Sequence, residues 1–167
     1  MAHSAGIKRF GSWSAPGANW LAQRPGAAWL TEKMLGIDAR RSLPRFVRKN
    51  FPRWFRSHSP LHSAGKRGTV VLLNDCLTSY CEPGINQTAV ELLETAGYRV
   101  QLADLWCCGR PFISKGLIEP GKALARRNVA KLLEYVEQGW PILGTEPSCL
   151  LTLVDEYPDL FPSPATN

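Results

Sequence analysis

Acidic side chains are nearly missing from the first 68 residues, where only Glu32 and Asp38 stand against 13 lysines and arginines. Residues 69–167 reverse the balance, with 7 basic and 12 acidic residues, so the net +6 is a sum of +11 and −5. A charge break this sharp marks an expected boundary. No stretch approaches the ~18–20 consecutive apolar residues of a membrane-spanning helix, which excludes a span of that kind. Met1 to Phe10 holds no apolar run of the length a secretory signal needs, and an oxidising compartment is therefore not expected. An even cysteine count is missing as well: there are five, two of them adjacent, which no disulfide framework explains. Low-complexity tracts and internal repeats are absent. What is present, 44% hydrophobic residues in 167, suits one core of ordinary size.

Residues 1–68 read as a basic connector. Pro16, Pro25, Pro44, Pro52 and Pro60 are expected to interrupt its helices, leaving short amphipathic pieces such as Ala27–Leu35 and Arg45–Phe55. In the second piece Phe46, Phe51, Trp54 and Phe55 alternate with Arg45, Arg48, Lys49, Arg53 and Arg56. Such a stretch could touch nucleic acid, an anionic membrane surface or an acidic protein. A plainer reading docks the aromatics on a neighbouring domain and leaves the cations in water. An Arg- and Ser-rich organelle transit peptide is a further reading.

From Gly68 the pattern becomes regular. Thr69-Val70-Val71-Leu72-Leu73 is a short β-branched run, as in a buried parallel strand. Ile85, Ala89, Leu92, Leu93 and Ala96 then share one helix face, with Gly97 as its stop. Tyr98 to Leu102 alternates apolar and polar, as a strand does. Ala125, Val129, Leu132, Leu133 and Val136 predict a second helix, from near Pro120 to Gly139. Pro141 to Thr145 predicts a third, weaker strand, and Ser148 to Glu156 a last helix with Pro147 at its start and Pro158 at its end. The alternation gives an α/β fold: a small parallel sheet with flanking helices over 69–161, then a tail over 162–167.

Cysteines follow each strand at short range. Cys76 lies three residues past Leu73, Cys107 and Cys108 five and six past Leu102, and Cys149 four past Thr145. All are placed at the carboxyl edge of the sheet, where open α/β folds bind ligands. Cys81 stands apart and reads as an ordinary buried cysteine. Cys149 falls in the first turn of a helix, which favours a thiolate. Three chemistries remain open for the four thiols. Zinc usually takes short C-x₂₋₄-C pairs, which only Cys76 and Cys81 approach. An iron–sulfur cluster takes four thiolates, and a vicinal disulfide at 107–108 would serve thiol redox. Arg110, Arg126 and Arg127 could meet an anion, although solvated helix faces explain the last two equally well. Glu146 either serves the site or complements a helix N-terminus. His58 and His62, with Pro60 between them, make a poor metal pair.

Asn74-Asp75-Cys76, Trp106-Cys107-Cys108-Gly109-Arg110-Pro111, Ala125-Arg126-Arg127-Asn128 and Glu146-Pro147-Ser148-Cys149 together resemble one copy of the CCG, or cysteine-rich, domain. The likeness runs from Val70 to Phe161. That domain occurs in iron–sulfur subunits of glycolate oxidase, anaerobic glycerol-3-phosphate dehydrogenase and heterodisulfide reductase. Upstream, Leu35-Gly36-Ile37-Asp38 and Leu43-Pro44-Arg45-Phe46 are similar to the basic connector of large fused flavoproteins. The resemblance implies an iron–sulfur cluster of the 4Fe-4S type, with Cys76, Cys107, Cys108 and Cys149 as ligands and Gly109, Arg110 and Glu146 beside it. It implies electron transfer within an FAD-linked oxidoreductase of small 2-hydroxy acids such as glycolate, D-lactate or D-2-hydroxyglutarate. FAD would belong to a partner subunit or missing domain, since no flavin-binding segment and no C-x-x-C-x-x-C run are present. Thr152 stands where many members have a further cysteine, and most members carry two repeats. A second CCG half or self-association is therefore expected, with the chain a truncated piece inactive alone. The expected setting is cytoplasmic or peripheral at the inner membrane face, with no nucleic acid. The alternative is a zinc-stabilised, non-enzymatic binding module whose basic arm meets nucleic acid or a membrane surface.

Overall fold

A computed structural model describes residues 4–22, 24, 26–36, 38, 40, 45–103 and 105–162. Most of the expected 162–167 tail, and Ile37, Leu43 and Pro44 of the upstream motifs, lie outside the described residues. The basic segment contributes α1 (Ser4–Trp13), α2 (Ala15–Ala22), α3 (Ala27–Leu35) and α4 (Phe51–Ser57). Its prolines do not all break helices. Pro16 and Pro52 sit in first turns, where the missing N–H costs nothing. Asn50 caps α4 by accepting the Arg53 N–H at 3.1 Å.

Three parallel strands follow in the spatial order β2-β1-β3: β1 (Thr69–Leu73), β2 (Arg99–Ala103) and β3 (Ile142–Leu143). Thr69 pairs with Arg99 and Leu72 with both Leu102 and Leu143. As the central strand, β1 has Val70 to Leu73 all buried, which explains its unbroken apolar run. The helices are α5 (Cys76–Tyr80), α6 (Pro83–Thr95), α7 (Arg110–Ile113), α8 (Ile118–Val136), α9 (Pro147–Leu151) and α10 (Tyr157–Leu160). Among the described residues no helix is long and apolar enough to cross a membrane.

Each face of the sheet has its own core. Phe51, Val70, Leu72, Val90 and Val100 form one, with Trp54 and Phe55 packed against it. Phe51, Trp54 and Phe55 of the basic stretch thus dock on the sheet, while Phe46 lies against Gly11 of α1 and Arg53 and Arg56 stay exposed. Val71, Leu73, Ala103, Leu105 and Leu132 form the other, beneath α8 and α9. Helix α6 is turned relative to its apolar stripe: Ile85 and Leu92 are 50% and 67% exposed, whereas Asn86, Val90 and Glu94 are buried. Dedicated partners explain the reversal. Glu94 takes His58 Nε2 at 2.9 Å and the Leu61 N–H at 3.1 Å, and the Thr145 hydroxyl donates to Asn86. His58 is therefore bound to a carboxylate rather than paired with His62.

The last helix also departs from expectation. Pro158 does not end it; Thr152–Glu156 forms a π turn and α10 begins at Tyr157. The Tyr157 N–H reaches back five residues to the Thr152 carbonyl, immediately before a proline that could not have extended the ladder.

Candidate metal centre

Each cysteine-bearing segment repeats one plan, a strand end, a sharp cap and a short helix. After β1, buried Asp75 caps α5, accepting the Leu77 and Thr78 N–H groups at 2.9 and 2.8 Å and the Thr78 hydroxyl. Cys76 is thereby fixed as the first residue of α5. After β3, Glu146 caps α9, taking the Cys149 N–H at 2.8 Å and the Ser148 hydroxyl. After β2, Gly109 turns the chain left-handed (φ 86°) into α7, with its N–H directed at Cys107 Sγ at 3.5 Å. A side chain there would be strained and would meet the Gly121 carbonyl.

These caps bring four of the five cysteines together. Cys107 and Cys108 are buried, with Cys76, Cys149 and Leu153 packed against them. Cys108 Sγ lies 3.1 Å from Cys149 Sγ. Cys81 is buried at the end of α5, outside this group. Two residues that the sequence reading did not single out hold the vicinal pair. Asn128 donates to the Cys107 carbonyl and to the Tyr157 hydroxyl, both at 2.8 Å, and the Tyr157 hydroxyl donates to the Cys108 carbonyl at 2.7 Å. The available signals were the place of Asn128 in the Ala125-Arg126-Arg127-Asn128 motif and a polar side chain on the inward stripe of α8, beside Ala125 and Leu132. A third, Lys8 of α1, places its ammonium 3.6 Å from Cys76 Sγ across 68 residues of sequence.

Burial and thiol–thiol contacts keep the Cys76, Cys107 and Cys108 thiols protonated. Burial pushes the Cys76 thiol up, partly offset by Lys8. The hydrogen bond with Cys108, and then burial, push Cys107 up. For Cys108 the bond with Cys107 pulls down, but the contact with Cys149 and burial prevail, to about 12. Metal binding must therefore displace protons here. The donor set suits a thiolate-held cluster: converging cysteines, a backbone N–H on one sulfur and a cation on another. Among the described residues no three His, Cys, Asp or Glu side chains are grouped closely enough to hold a single metal ion. A mononuclear zinc centre and an iron–sulfur cluster alike would need the thiols rearranged around the bound group.

Of the flanking residues, Arg110 Nη1 pairs with Glu156 at 3.2 Å, and the Glu146 carboxylate is engaged in capping. Hydrogen bonds from Ser148 and Cys149 outweigh burial and hold Glu146 below the usual carboxylate range. Thr152 is fully buried, with its hydroxyl on the Ser148 carbonyl at 2.7 Å.

Comparison with known proteins shows which family the chain is similar to. The chain is 31% identical over 149 residues to a subunit of the anaerobic glycerol-3-phosphate dehydrogenase of Escherichia coli, covering 88% of this chain and 37% of that protein. It is 35% identical over 95 residues to lactate utilization protein A of an Exiguobacterium species, covering 55% of this chain and 37% of the relative. It is 29% identical over 97 residues to D-2-hydroxyglutarate dehydrogenase of Pseudomonas putida, covering 58% of this chain and 10% of the relative. No solved structure matches. The chain thus spans well under half the length of each of these relatives. The profile of the CCG cysteine-rich domain matches residues 70–154, a stretch that holds every cysteine and all but the first residue of the sheet, and the chain belongs to that family.

Proposed function

We propose that this chain is an electron-carrying, iron–sulfur part of an FAD-linked oxidoreductase acting on small 2-hydroxy acids. The observation that carries the reading is the convergence of Cys76, Cys107, Cys108 and Cys149 at one edge of the sheet. These four would hold the cluster, most simply of the 4Fe-4S type, which when bound supplies one-electron transfer. The chain's own residues prepare the place. Burial excludes water, the Gly109 N–H donates to the Cys107 sulfur, and Lys8 offsets negative charge at Cys76. Asn128 and Tyr157 fix the vicinal backbone so that both thiols keep their direction. FAD would reside in a partner subunit or domain. A second CCG half, from a partner or from another copy of this chain, would cover the loaded centre, and position 152 adds no further thiol there because its hydroxyl is turned onto its own helix. The relatives' names, a D-2-hydroxyglutarate dehydrogenase and a lactate utilization protein among them, support the substrate class. Exposed Trp20 and Trp29, beside Arg24 and Lys33, support peripheral contact with an anionic membrane surface.

The test is anaerobic reconstitution with iron and sulfide, followed by iron and acid-labile sulfide counts and electron paramagnetic resonance of the reduced protein. Cluster formation that requires these thiols, and reduction by a flavin dehydrogenase turning over a 2-hydroxy acid, is the expected result. A colourless protein holding one zinc per chain would overturn the reading.

A further inference from the structure

Beside the thiol group, and sharing Cys76 with it, lies a cleft of about 250 Å³. Cys76 is the only one of the four grouped cysteines that lines it. Most of the remaining wall is drawn from four parts of the chain, with Tyr80 of α5 and Leu105 completing it. α1 supplies Arg9, the turn after β1 supplies Asn74, the turn after β2 supplies Trp106, and α8 supplies Arg127 with Lys131 one turn on. Among the described residues no acidic side chain lines the cleft, and neither Arg9 nor Arg127 has a carboxylate partner. The Arg9 guanidinium lies over the Trp106 ring, 5.2 Å from its centroid, which holds it at the rim while leaving its N–H edge free to bond. Lys8, the preceding residue, reaches Cys76 itself.

From these observations we infer that the cleft between α1 and α8 binds a small oxyanion, a carboxylate or a phosphate group, against the Cys76 side of the thiol centre. Arginines from two separate elements converge on one space, neither of them paired with a carboxylate among the described residues, and guanidinium forks match both oxyanions. Its volume falls below the roughly 300–1,000 Å³ of pockets for drug-sized ligands, which suits a small acid or phosphate better than a dinucleotide. The basic amino-terminal segment thereby gains a role besides covering the sheet, since without α1 the cleft would keep a single arginine. None of these groups needs iron to be in place, so the metal-free chain already carries the site.

The experiment is calorimetric titration of the full metal-free chain at constant ionic strength, with inorganic phosphate in one arm and D-lactate in the other, monitored in parallel by tryptophan fluorescence. Saturable binding of either anion at one site per chain is expected, and the arm that binds identifies which source of oxyanion the cleft takes. Arg127→Gln and, separately, Arg9→Gln should each weaken binding roughly tenfold to a hundredfold, the scale of a lost hydrogen bond to a charged group. Arg126→Gln removes the same charge from α8 outside the cleft and should leave binding unchanged. Failure of both anions to saturate would overturn the inference, as would equal weakening by Arg126→Gln and Arg127→Gln, which would report net charge alone. Arg9 and Arg127 are both exposed and sit on separate helices, α1 and α8, so if one variant is poorly folded by circular dichroism the other still decides the matter.

Discussion

One face of the sheet is shut and the other is left partly open. Beneath α4 and α6, Phe51 is wholly buried among Val70, Leu72, Val90 and Val100, and the polar groups at the rim find partners in the His58–Glu94 pair. Beneath α8 and α9 the core runs on into the thiol group and then into an apolar groove, where Val136 and Val154 are 55% and 61% exposed. The contrast separates two jobs. The closed face supplies stability through ordinary burial, whereas the face that carries chemistry cannot be sealed in the same way. The amino-terminal segment belongs energetically to the first face through α4, and reaches the thiols through α1.

Substitutions on the two faces should therefore fail in different ways. The largest effect is expected from Cys108→Ser, which should abolish cluster loading by iron and sulfide analysis while leaving the far-UV circular dichroism intact. Cys81→Ser, outside the thiol group, should load like the unaltered chain; equal loss in both would erase the distinction. Phe51→Ala should act in the opposite sense, costing about 3–5 kcal/mol in urea unfolding through the cavity it leaves, with no ligand touched. Tyr157→Phe should cost about 1–3 kcal/mol by leaving the Cys108 carbonyl without its hydroxyl partner. It should also broaden the electron paramagnetic resonance signal of a loaded centre if the vicinal backbone is what fixes the thiols.

Glu146→Ala should cost about 1 kcal/mol, the scale of a lost helix cap, and its effect should depend on pH. The folded carboxyl is held low, so its stabilisation is present above the unfolded value of about 4.3 and is lost as pH falls through the lower folded value. The gap between variant and parent should thus be constant at neutral pH and close in acid; a gap that widens in acid would reverse the assignment. The smallest effect, within about 0.5 kcal/mol, is expected for Val154→Ser in the open groove. A larger loss would mean that the groove is covered, for example by self-association, which sedimentation would reveal.

Much of the architecture was legible in the sequence because strand runs, helix stops and the distance from each strand to its cysteine are local. β1 and β2, the glycine stops at Gly97 and Gly139, and the gathering of four thiols all follow from such short-range signals. What was missed depends on contacts distant in sequence. Apolar periodicity assigned Ile85 and Leu92 to the inside of α6, but Asn86 and Glu94 took those positions because Thr145 and His58 waited there. Lys8 could not be linked to Cys76 from spacing, and Asn128, although part of a matching motif, gave no sign that it would hold the Cys107 carbonyl. Pro158 was read as a stop, since a π turn that prepares the chain for a proline has no distinctive local composition.

The burial of Phe51 also bears on the order in which the protein can be made. At about 5–20 residues per second, a chain lengthening from its amino end produces α4 seconds before the strand that Phe51 must meet. β2, on which Val100 lies, comes later still. During that interval Phe51, Trp54 and Phe55 emerge together on a cationic segment with no sheet to receive them. The nascent chain therefore passes through a stage in which its stickiest stretch is also its most positively charged. Repulsion between neighbouring chains is then the protection it carries until translation of β2 is complete.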